Sequence, residues 1–243
     1  MTPLPDGGSS VTPRAVIYSG GPAHDFPALS AHLQALLQEV GVAAWVTEDF
    51  AEAADNLPGV DLLIVNALRW RMQADRYAAE RAALAFSPRT ESRGAVTQHL
   101  NGGGGLLGLH TAVISFDDWP EWGDILGARW NWSRSSHPPN GPARIVVHRD
   151  RHQIVAASAE QFDTDDEVYG FLDVASDVAP LLSGSHSRAT HPLMWARGVG
   201  AGRVVTSTLG HHLRSYQPPE YRRILLRSVQ WLLGRPLEPG PAA

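Results

Sequence analysis

The stretch Gly102 to Ala112, Gly-Gly-Gly-Gly-Leu-Leu-Gly-Leu-His-Thr-Ala, sets His110 where a buried strand turns into a helix. In α/β folds such an elbow projects one side chain from the carboxyl edge of a sheet, and it often holds a nucleophile. Here it holds imidazole. A helix amino terminus carries roughly half a positive charge, which disfavours imidazolium. A neutral ring there can act as general base, hydrogen-bond donor or metal ligand. The chain has no cysteine, so thiol nucleophiles, thiolate zinc sites and iron–sulfur clusters are excluded. It has no lysine either, which removes Schiff-base and Walker-type chemistry.

Other imidazoles fall at strand ends. His24 and Asp25 follow a strand over 15–19, Asn66 ends a strand over 61–66, and His211 and His212 follow a strand over 203–209. Ligands on open parallel sheets bind beyond the carboxyl ends of the strands. A single histidine is usually a surface or satisfied core residue, but three segments delivering imidazoles to one edge predict a shared pocket. His24, His110 and His211 could there hold a divalent metal such as zinc or manganese. No HExxH or HxH spacing is present, so metal-free acid–base chemistry stays open beside it.

A second group comprises His137, His148, Asp150, His152, Asp163 to Glu167 and Tyr169. Carboxylates beside histidines can orient a ring or share a proton, although by composition the acidic run reads as a solvated loop. Trp119, Trp122, Trp130 and Trp132 suit packing first, and stacking against a sugar second. No GxSxG motif is present, which argues against a serine hydrolase.

These residues need a scaffold. At 243 residues and a net charge of −5, the chain reads as one α/β domain over 14–235, with flexible termini at 1–13 and 236–243. Strands are expected at 15–19, 43–47, 61–66, 106–109, 144–148, 192–197 and 203–209. Helices are expected over 29–40, 75–86, 119–126 and 221–233. Alternation of strand and helix predicts a mostly parallel sheet with helices on both faces. Gly198, Gly200 and Gly202 read as a hairpin turn. The stretch from Trp119 to His191 reads as an irregular elaboration over one sheet edge. Scattered arginines argue against nucleic acid. No apolar run reaches a membrane span, and no leader is recognisable at Met1 to Pro13. A cytoplasmic protein is therefore expected, and a homo-oligomer stays open.

Taken in order, several fragments resemble the ThuA-like (trehalose-utilisation) family. They are Gly21 with His24-Asp25; Gly103 to Ala112; Gly127-Ala128 before Ser136-His137-Pro138; Asp150-Arg151-His152; Phe162 with Asp166-Glu167-Val168-Tyr169; His191 to Trp195; Gly200 to Val204 leading to Leu209-Gly210-His211; and Val229-Gln230-Trp231. The resemblance implies a flavodoxin-like sheet related to class I glutamine amidotransferases. The cysteine of those enzymes is absent here, which removes amidotransferase chemistry. It implies sugar catabolism, with substrates such as trehalose and 3-keto-sugars. The resemblance raises His137, His152 and Glu167, so that Glu167 and His152 join His110 as expected acid–base groups; with strand-end position and the tryptophan cluster, the expected substrate contacts are His24, Asp25, Asn66, His137, Trp132 and Tyr169. Gln153 stands where the family often has proline, and Ser87 to Gln98 looks longer than usual. The expected function is an enzyme acting on a keto-sugar or glycoside, with a divalent metal as an option. The alternative is a non-catalytic carbohydrate-binding or assembly subunit.

Overall fold

The computed structural model describes residues 12–237. Most of the expected flexible termini lie outside these residues. In chain order the elements are β1 (Arg14–Gly20), α1 (Phe26–Glu39), β2 (Ala43–Thr47), α2 (Phe50–Asp55), β3 (Leu62–Ala67), α3 (Arg81–Leu84), α4 (Thr90–Asn101), β4 (Gly105–Leu109) and α5 (Pro120–Leu126). They continue with β5 (Ala128–Arg129), β6 (Gly141–Val147), β7 (Gln161–Asp166), β8 (Asp173–Val174), β9 (Pro180–His186), β10 (Ala189–Val199), β11 (Gly202–Ser207) and α6 (Pro219–Leu232).

The main sheet has strand order β2-β1-β3-β4-β11-β10-β9-β6-β7. Its first five strands pair in parallel. β1, β3 and β4 are buried along nearly their whole length, as continuous apolar runs covered on both faces must be. Leu29, Leu33, Leu36 and Leu37 of α1 and Ile224, Leu225 and Val229 of α6 bury one face with Ile17, Ile64 and Leu107. Phe50 of α2, Val96 and Leu100 of α4 and Trp122 of α5 bury the other with Val16, Leu63 and Leu106. The central sheet is thus the flavodoxin-like arrangement expected.

Two expectations need correction. The helix expected over 75–86 is only a 3-10 turn at Asp75–Tyr77 and the short α3. The crossover helix is instead α4, where Ser92, Val96 and Leu100 recur at a spacing of four and bury one stripe. The polar residues 87–94, expected as a break, include its first turn, where Thr90 and Glu91 are exposed and Ser92 is buried. The supposedly irregular region is the second half of the sheet: β6, β7, β9 and β10 are all antiparallel to their neighbours. The glycines before β11 do form the hairpin turn from β10.

Four strand steps separate β11 from β7, so a flat sheet would hold them about 19 Å apart at roughly 4.8 Å per step. Yet Thr164 Oγ1 of β7 donates to Ser215 O, just beyond β11, at 3.3 Å. The antiparallel half therefore curls back over the carboxyl rim of the parallel half. β7 runs in the same direction as β11, so its last residues arrive at that rim.

Candidate functional site

Four segments converge there. The first is the loop after β1. Asp25 caps α1 by accepting from Ala28 N at 3.1 Å, and this fixes the residue before it, His24. Nδ1 of His24 donates to Pro22 O at 3.4 Å, leaving Nε2 with a free lone pair.

The second is the elbow after β4. His110 is 2% exposed and adopts φ 45°, a left-handed conformation. The turn is held to the end of β3: Thr111 Oγ1 and Ser115 Oγ donate to Ala67 O at 2.7 and 2.8 Å. Nδ1 of His110 donates to Thr208 O at 2.8 Å, so its Nε2 is also free to accept. The element that follows is a single 3-10 turn, His110–Val113, rather than the expected helix. Burial, and then the nearby His24, hold His110 well below the ordinary imidazole range. The ring is neutral as expected, but a helix field is not the cause.

The third segment is the loop after β11. Its Gly210 has φ 128°, and a Cβ there would lie 2.5 Å from the Tyr216 hydroxyl oxygen, so glycine is required. His211 follows, with Nδ1 3.0 Å from Nε2 of His24. Burial and the neighbouring His24, His212 and His137 push His211 down to about 4. Burial likewise lowers His24.

The fourth is the end of β7. Asp166 is 1% exposed. Its carboxyl accepts from Gly210 N at 2.8 Å, His211 N at 3.2 Å and Glu167 N at 2.8 Å. One side chain thus clips the β7 end to the β11 loop. Burial pushes Asp166 up to about 7 against these donors. Glu167 Oε2 lies 3.6 Å from Nε2 of His110 and 3.5 Å from Nδ1 of His211. Burial raises Glu167, and His137 opposes the rise.

One donor atom from each of His24, His110, Glu167 and His211 lies within 4.8 Å of the others. A tetrahedral zinc with bonds of about 2.0–2.1 Å needs donors about 3.3–3.4 Å apart. Three of the six donor pairs, at 3.0, 3.5 and 3.6 Å, lie near that edge, and all six lie within 4.8 Å. Two of the rings donate their other nitrogen to a backbone carbonyl, which is how ligating histidines are usually oriented. The donor set therefore fits a divalent ion such as zinc or manganese.

The remaining expected residues divide. Tyr169 OH donates to Nε2 of His110 at 3.1 Å, and burial keeps the phenol protonated. His137 sits at the mouth, half open to solvent, with Nδ1 3.3 Å from Glu167 Oε1. Asn66 is buried at the end of β3 with Nδ2 unpartnered. Asp25 uses its carboxylate as the helix cap just described. Trp132 lies farther out, stacked on Trp70 with ring centres 6.1 Å apart. His212 turns away from the cluster toward Arg214 and Asp165.

His152 is a correction. The register Gly141↔Asp166 and Val146↔Gln161 puts the β6–β7 connection at the rim opposite Asp166. His152 lies in that connection, edge-on to Trp231 at 4.9 Å, with its Nδ1 accepting from Ile154 N. It is a strand's length from His110. Asp166 was missed because it sits in an acidic run that composition assigns to solvent.

The sequence profile of the ThuA family, described as trehalose utilisation, matches residues 14–232. The chain belongs to the ThuA family. Its fold is that of a ThuA-like protein from Parabacteroides merdae, with a TM-score of 0.77 at 15% identity, covering 95% of this chain and 94% of that one. A ThuA-like protein from Bacteroides uniformis gives 0.68 at 18% identity, covering 95% of both chains. The β-galactosidase of Halorubrum lacusprofundi matches with a TM-score of 0.58 at 12% identity, covering 92% of this chain and 30% of that one. No curated protein matches the sequence significantly. Family membership gives this ThuA protein a place in sugar metabolism. Among the described residues, no helix is long and apolar enough to cross a membrane.

Proposed function

We propose that this ThuA protein is an enzyme that acts on a keto-sugar or glycoside by histidine and carboxylate acid–base chemistry. The observation that carries the reading is the convergence of His24, His110, Glu167 and His211 within 4.8 Å. Four separate segments contribute these groups, and burial holds the imidazoles neutral.

A keto group acidifies the C–H beside it, so a positioned base suffices to start elimination or isomerisation without a redox cofactor. In metal-free chemistry Glu167, raised by burial and poised beside three histidines, is suited to take that proton. His137 touches the other oxygen of Glu167 and also meets solvent, so it can carry the proton onward or return it to a leaving oxygen. Tyr169 is a protonated donor at the floor. Asn66, whose buried amide lacks a partner, is available to bind a sugar oxygen. His24, His110, His211 and Glu167 would hold a divalent ion, which supplies Lewis-acid polarisation of the substrate carbonyl when bound.

Purified protein should carry about one equivalent of zinc or manganese, and it should turn over a member of a keto-sugar panel. His110→Ala should abolish that turnover while the metal-free proteins melt within a few degrees of each other. Unchanged turnover in this variant refutes the catalytic assignment. A protein that binds sugars but converts none favours a binding subunit instead.

A further inference from the structure

A cavity of about 390 Å³ lies beside the histidine–glutamate centre. Trp70, Tyr77, Trp130 and Trp132 wall it, and Arg76 and His137 stand at its polar edge. It adjoins the centre through two contacts. His137 belongs to its lining and reaches Glu167 at 3.3 Å. Trp130 meets Tyr169 edge-on at 5.2 Å, and Tyr169 in turn reaches His110.

Trp132 is unusual for its type. It is 46% exposed, while Trp70, on which it stacks, is 5% exposed. Apolar area left in water forgoes roughly 25 cal/mol per Å², and among the described residues nothing covers the outer part of this indole. The loop opposite is already fixed. Arg81 donates to the carbonyls of Met72, Gln73 and Ala74 at 2.8, 3.0 and 3.1 Å. A wall set before binding lowers the ordering cost that a ligand must meet.

Aromatic faces with a polar edge suit one ligand chemistry well. A pyranose ring has an apolar C–H face that covers an indole, and a rim of hydroxyls that needs donors and acceptors. We infer that the Trp70–Trp132 cavity is a subsite for a second, non-reacting sugar ring, so that the substrate is a glycoside of at least two rings. This inference rests on the sugar-acting reading above.

The test is calorimetric titration of the intact protein with trehalose and with methyl α-glucoside. Trehalose should bind about tenfold more tightly, the equivalent of one good stacking contact. Trp132→Ala should erase that preference and leave methyl α-glucoside binding unchanged, and Trp132→Phe should keep most of it. Far-ultraviolet circular dichroism matching the wild type checks that both variants are folded. Equal affinity for the two sugars in the wild type overturns the subsite alone. So does a preference that survives in Trp132→Ala, or a parallel fall for both sugars. Failure of both sugars to bind the wild type overturns the subsite, whereas the sugar-acting reading falls only if the keto-sugar panel also shows neither binding nor turnover.

Discussion

His110 combines a strained backbone with a ring fixed in one tautomer. Its φ of 45° places a Cβ where L-residues lose about 1–2 kcal/mol. The ring is held by Thr208 O on one nitrogen and approached by the Tyr169 hydroxyl on the other. Such strain persists where the surroundings over-determine it, and it clusters at functional sites. His110→Gly and His110→Ala should therefore both lose turnover but differ in stability. The glycine variant should be the more stable by about 1 kcal/mol, because it alone accepts the left-handed conformation freely. Urea denaturation of the metal-free proteins measures this, and an alanine variant as stable as the glycine one would mean the elbow stores no strain. This residue was legible in the sequence because a glycine run, a strand and a turn announced it. Glu167 was not: the pattern Gln161–Asp166 alternates too weakly to reveal a strand, and only the family resemblance singled the glutamate out.

At the scale of elements, the centre depends on the junction between β7 and the loop after β11. Asp166 makes that junction, accepting three backbone N–H groups with its two oxygens. Asparagine fills the same volume but has one acceptor oxygen, so at least one N–H loses its partner. Asp166→Asn should keep the far-ultraviolet circular dichroism of the native protein. Its affinity for zinc should fall about 10–100-fold, the usual effect of removing a group that orients metal ligands. A competition titration with a coloured chelator reads this out, and unchanged affinity would show that Asp166 only packs. The central parallel strands β1, β3 and β4 were legible as apolar runs, since they are buried on both faces. The antiparallel half was legible only at β6 and β10, expected over 144–148 and 192–197, and not at β7 or β9. Its strands carry proline, glycine and charge, and they owe their pairing to neighbours distant in sequence rather than to any local signal. His152 was misassigned for the same reason, because only the β6–β7 register reveals which rim it occupies.

At the scale of the whole molecule, a bound ion would link the loop after β1, the elbow after β4, the end of β7 and the loop after β11. A ligand present at 100 times its dissociation constant adds about 2.7 kcal/mol of stability. For a chain of this size each kcal/mol moves the melting temperature by about 2–4 °C, so chelation should lower it by about 5–10 °C. Scanning calorimetry with and without chelator, followed by zinc re-addition, decides the matter. A melting temperature indifferent to both treatments would count against a resident metal.

The curl of the sheet also governs when the centre can exist. His24 and His211 touch across 187 positions of sequence, and Glu167 reaches them only once the antiparallel strands have folded over the rim. Such distant pairings form late, after loop closure has been met. A nascent chain emerging from the ribosome would hold His24 and His110 without the two partners that complete the set. Ion uptake would therefore report that synthesis and folding have both finished, and a truncated product would remain unloaded.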